Sequence, residues 1–124
     1  MATITVLDVN WVDRPHSIGA ALLESDGHRS LVDPGPTSTL PTLRTRLAEH
    51  GLGVADLDAI LLTHIHLDHA GASGSLVQEN PNLPVYVHKN GAPHMPTRAS
   101  WSPAPRACGV NGSTICSARW SRFL

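Results

Sequence analysis

The 124-residue sequence predicts a single α/β domain, and three observations carry that reading. An Asp-Gly pair at Asp26-Gly27 separates two short apolar runs, as in a β-hairpin. Leucines at 40, 43 and 47 recur at helical spacing. The apolar run from Leu57 to Leu62 then has the length of a buried strand and leads directly into a dense histidine-aspartate cluster.

Thr3 to Val12 is rich in β-branched and apolar residues and predicts a first strand, ended by Asp13-Arg14-Pro15. Ser17 to Glu24 and Arg29 to Val32 are the arms of the hairpin. Asp33-Pro34-Gly35-Pro36 then forces the chain out of the sheet. A helix follows, with an N-cap among Thr37, Ser38 and Thr39, Pro41 in the first turn, and Gly51 at its C-terminal end. Leu57 to Leu62 is expected to be buried on both faces. Gly71 to Glu79 is a second helix, weakened by Gly71, Gly74 and Ser75, and Val85-Tyr86-Val87 is a short strand after Pro81 and Pro84.

Eight histidines are present, three of them within the six residues His64-Ile65-His66-Leu67-Asp68-His69. Imidazole nitrogen and carboxylate oxygen are ligands that zinc accepts at about 2.0 to 2.2 Å. The two-residue spacing of His64, His66 and Asp68 would place all three on one side of an extended segment, with His69 pointing elsewhere, so one loop could serve two metals. Ligands of α/β sheets gather beyond the carboxyl ends of strands, where this cluster falls. A lone histidine is readily explained by local hydrogen bonding; four ligand-type residues in six positions are not.

The segment Thr63-His64-Ile65-His66-Leu67-Asp68-His69-Ala70-Gly71 resembles the HxHxDH signature of the metallo-β-lactamase superfamily, and Leu31-Val32-Asp33-Pro34-Gly35 resembles its first motif, a strand ending in Asp-x-Gly. The likeness covers Thr3 to about His94. It implies the N-terminal half of an αββα sandwich, with residues 1–94 as a partial domain and 95–124 as an irregular tail. It also implies zinc as cofactor, two ions in a complete site, with His64 and His66 on the first and Asp68 and His69 on the second. Asp33 would sit behind the ligands and orient them. The activity implied is hydrolysis of a small-molecule ester, thioester, lactam or phosphoester by a metal-bound hydroxide, with Asp68 as the catalytic residue that orients the nucleophile. His88 and His94 are further candidates for the site.

The same family completes its site with later residues, including a bridging aspartate, whereas this chain has no Asp or Glu after Glu79. An inactive metal-binding fragment or pseudoenzyme is therefore the alternative. Beyond His94 the sequence loses periodicity and gains Pro, Ser, Arg, Trp and Cys, so no strand is expected there. Trp101, Trp120 and Phe123 are too hydrophobic for an ordinary linker, and the segment resembles translation in a shifted reading frame. The encoding DNA tests this: a neighbouring frame should restore acidic residues.

A formal net charge of −1 gives no case for a nucleic-acid partner, and no apolar run approaches the roughly 20 residues that span a bilayer. Without a basic-then-apolar leader pattern, the expected location is cytoplasmic. Cys108 and Cys116 fit no familiar zinc spacing and are read as reduced and structural. Oligomeric state is not readable from the sequence.

Overall fold

The computed structural model describes residues 1–91 together with the backbone of two strands at 101–102 and 115–120. Strands β1 (Thr3–Asp8), β2 (Gly19–Ser25) and β3 (His28–Val32) form an antiparallel meander. Helix α1 (Leu40–Glu49) leads to β4 (Ala59–Leu61), and the short helices α2 (Leu67–Ala70) and α3 (Ser73–Glu79) lead to β5 (Val85–His88). Both β3–β4 and β4–β5 pair in parallel, as strand-helix-strand crossovers permit. With β6 (Trp101–Ser102) and β7 (Ile115–Trp120), the sheet order is β1-β2-β3-β4-β5-β7-β6. This is the mixed α/β layer expected of half a sandwich.

The hairpin closes through Asp26 and Gly27, with φ of 51° and 81°, between the paired residues Ser25 and His28. Positive φ at both central residues is what a two-residue type I′ turn requires, and glycine adopts it without a steric penalty. Helix α1 buries Leu40, Leu43 and Leu47. It ends in two hydrogen bonds of a Schellman motif, Gly51 N–H to the Ala48 carbonyl at 2.9 Å and Leu52 N–H to the Leu47 carbonyl at 3.0 Å.

One face of the sheet supplies Leu7, Leu22, Leu31, Ile60, Val85 and Val87 to a core completed by Leu43 and Leu47 of α1 and Leu76 and Val77 of α3. The other face carries Ile4 and Val6, which are 71% and 72% exposed. Because side chains alternate along a strand, the helices cover only the first set.

Three expectations are corrected. The first strand stops at Asp8, not Val12: the Asp8 carboxylate accepts the N–H of Asn10 at 2.9 Å and of His16 at 2.8 Å, which turns the chain into a loop. In that loop Trp11–Asp13 forms a single 3-10 turn. The central strand is limited to Ala59–Leu61; it buries Ala59 and Ile60 on opposite faces, while Leu61, in register with Val32 and Tyr86, is only half-buried. Finally, the tail contains strands: Ile115 to Ala118 pairs antiparallel with β5. An edge strand with free N–H and C=O groups recruits any extended segment that can satisfy them. His94, Cys108 and Phe123 lie outside the described residues, as do the side chains of Trp101, Cys116 and Trp120.

Candidate metal centre

Past Leu61 the chain bends at Thr63, reaches His66 with φ and ψ of −61° and 147°, and then turns into α2. The first bonds of that turn run to the His66 carbonyl, from His69 N–H at 3.0 Å and Ala70 N–H at 2.8 Å. His64 and His66 therefore precede the helical turn that carries Asp68 and His69. His64, His66 and Asp68 do come together, but the expectation that His69 points elsewhere is corrected. Helical winding brings the His69 ring back over His64, with ring centroids 4.0 Å apart, and the His66 ring meets His64 edge-on at 4.8 Å.

Two trios result, each with ligand atoms within 4.8 Å of one another: Asp33, His64 and His69, and His64, His66 and Asp68. Donor atoms around a tetrahedral zinc are separated by about 3.3 to 3.6 Å, so modest side-chain adjustment suffices to close on an ion. Nitrogen and carboxylate oxygen donors are the chemistry such an ion accepts, and the residues fit a metal.

The trios differ in how far their atoms are already engaged. Asp33 accepts from the Thr63 N–H at 2.9 Å on Oδ1 and from the Thr63 hydroxyl at 2.6 Å on Oδ2, where His69 Nδ1 also lies at 3.1 Å. Its carboxylate is occupied by partners behind the histidine rings. His66 and Asp68 are exposed, His64 is half-buried, and Asp68 Oδ2 lies 3.4 Å from His69 Nε2. The second trio faces solvent.

The supporting backbone is tightly interlocked. Gly35 N–H donates to the His69 carbonyl at 3.0 Å, and Ala72 N–H donates to the Gly35 carbonyl at 2.9 Å. The Thr37 hydroxyl donates to the Gly71 carbonyl at 2.9 Å. Asp33 itself has φ of 47°, a left-handed conformation that Asp tolerates better than most residues.

His88 is not brought into either trio. It ends β5 on a groove of about 390 Å³ lined by Leu61, Leu62, Thr63, Tyr86 and Val87, and its Nδ1 accepts the Asn90 N–H at 3.2 Å. Thr63 is the residue that sequence reasoning left without a role of its own. Its only signal was a hydroxyl next to the first histidine; its contact with Asp33 spans 30 positions.

A mixed sheet with helices on one face and a His/Asp loop beyond its central parallel strand defines an α/β protein with a metal-type site. The chain belongs to the metallo-beta-lactamase superfamily, whose sequence model matches residues 14–109. Among curated proteins it is 46% identical over 66 residues to a hydroxyacylglutathione hydrolase of Aliivibrio salmonicida, a stretch that is 53% of this chain and 24% of that protein. It is 47% identical over 51 residues to an anti-Pycsar protein of Saccharibacillus brassicae, covering 41% of this chain and 19% of that protein. The matched part thus amounts to a quarter or less of these relatives.

Among solved structures, a metallo-beta-lactamase of Cronobacter sakazakii aligns with a TM-score of 0.57 and 26% identity over 62% of this chain and 30% of that one. The subclass B3 metallo-beta-lactamase BJP-1 of Bradyrhizobium japonicum aligns with a TM-score of 0.63 and 22% identity, covering 75% of this chain and 33% of that one. The second likeness is one of fold.

Proposed function

We propose that this chain contributes the first ligand loop of a zinc-dependent hydrolase, with His64 and His66 serving one ion and Asp68 and His69 a second. The observation that carries this reading is the convergence of the cluster: His64 belongs to both ligand trios, and Asp68 Oδ2 stands 3.4 Å from His69 Nε2. Zinc bound there would lower the pKa of its water to about 7 and polarise the group under attack. Asp68, exposed at the start of α2, would orient the attacking water, and Asp33 holds His69 from behind. Relatives named as hydroxyacylglutathione hydrolases favour an acylated glutathione among ester, thioester, lactam and phosphoester substrates.

A second reading, an inactive metal-binding fragment, is favoured by the absence of any Asp or Glu after Glu79, which leaves no later bridging carboxylate in this chain. Metal analysis and turnover separate the two. Two zinc ions per chain, with thioester hydrolysis that His66→Ala and Asp68→Asn abolish, is the expected result for the hydrolase. One weakly held ion without turnover supports the fragment. Failure to retain zinc at micromolar concentration overturns both. No helix among the described residues is long and apolar enough to cross a membrane, and a cytoplasmic location is part of this proposal.

A further inference from the structure

Thr63 has a single hydroxyl proton and two polar neighbours for it. Its Oγ1 lies 2.6 Å from Asp33 Oδ2 and 2.9 Å from His64 Nδ1. An ionised carboxylate only accepts, so the hydroxyl proton goes to Asp33. The Thr63 oxygen is then left as an acceptor, and the contact with His64 is a hydrogen bond only if Nδ1 of His64 carries the proton. The same carboxylate oxygen faces His69 Nδ1 at 3.1 Å, which by the same reasoning also carries a proton. For His64, a neutral imidazole with its proton on Nδ1 has a bare lone pair on Nε2.

From this geometry we infer that Thr63 is a positioning residue: its hydroxyl relays the Asp33 carboxylate to His64, so that one carboxylate orients both rings through Nδ1 and leaves Nε2 of His64 free to bind metal, while Nε2 of His69 faces Asp68 Oδ2 at 3.4 Å. The relay is needed because Asp33 touches His69 directly but reaches His64 only through Thr63. The Thr63 backbone N–H on Asp33 Oδ1, at 2.9 Å, holds the hydroxyl in place and is independent of the side chain. A ring whose second nitrogen is fixed by a hydrogen bond is both oriented and made more basic as a ligand.

The inference rests on the proposed metal role of His64 and His69, and its test reads the tautomer apart from the metal. In the metal-free full chain, two-bond ¹H–¹⁵N correlation spectra should show His64 and His69 protonated on Nδ1. Thr63→Val removes the hydroxyl at nearly constant shape and should release His64 into a mixture of tautomers while His69 keeps its own. Thr63→Ser should restore the wild-type pattern. Competition between the protein and a chromophoric chelator for zinc alone should then show about a 10- to 100-fold weaker affinity for Thr63→Val, recovered by Thr63→Ser. Wild-type His64 protonated on Nε2, or a Thr63→Val spectrum unchanged at His64, overturns the inference. If Thr63→Val does not fold, the wild-type tautomer and Thr63→Ser decide it. Correct tautomers with no zinc bound by the wild type would instead sink the proposed function and leave the relay standing.

Discussion

Gly71 and Pro36 meet backbone to backbone: a Cβ added to Gly71 would lie 3.2 Å from Pro36 Cα, 3.3 Å from the Thr37 nitrogen and 2.5 Å from the Leu67 carbonyl oxygen. This approach seats the turn carrying Asp68 and His69 against the loop that carries Asp33. Each obstructing atom belongs to the backbone and cannot swing aside.

Gly71→Ala should therefore destabilise the fold by about 1 to 3 kcal/mol, the usual range for overpacking. Alanine is the better helix former by about 1 kcal/mol, so the two effects oppose each other and the steric one wins. Urea unfolding measures the difference, and a variant as stable as the parent would contradict the close approach.

Asp33→Asn keeps a side chain that tolerates the left-handed backbone but loses acceptor capacity. The carboxylate has three contacts, two from Thr63 and one from His69, whereas the amide replaces one acceptor oxygen with a donor NH₂. Zinc affinity should fall by about 10- to 100-fold while far-ultraviolet circular dichroism is retained. Chelator competition reads this, and unchanged affinity would remove Asp33 from the metal site.

Leu43 is fully buried in the core between α1 and the sheet, and Leu43→Ala should cost about 2 to 5 kcal/mol. Ile4, on the uncovered face at 71% exposure, provides the contrast: Ile4→Ala should stay within about 0.5 kcal/mol. Equal losses in the two variants would mean that the β1 face is covered in solution.

The backbone N–H groups of His16 and then Asn10 hold the Asp8 carboxyl below its ordinary value of 3.8, with the partial desolvation of the site opposing them. A depressed folded-state pKa gives stability that is present above the unfolded value and lost as pH falls through the folded one. Wild-type stability should therefore fall below about pH 3.8 more steeply than that of Asp8→Asn. Unfolding midpoints between pH 2 and 6 check this, and parallel curves would show that the loop bonds do not form.

Local chemistry was legible in the sequence. Leucines at 40, 43 and 47 define one helix face whatever packs against it, and Asp26-Gly27 prefers positive φ in any hairpin. The four ligand-type residues of His64 to His69 were likewise visible, because their identities and spacing are properties of one short segment.

Extent and contact were not. Alternation alone carried β1 through Val12, but Asp8 captures the N–H of His16 from across the loop. Neither the pairing of Ile115 to Ala118 with β5 nor the half-buried position of Leu61 has a local signature, since each depends on which strand lies alongside. The same holds within the site. Sequence determined which side chains are able to bind a metal. Tertiary structure alone decided that Asp33 meets both Thr63 and His69, because hydrogen bonds between residues 30 and 36 positions apart exist only once β3, β4 and α2 are packed together.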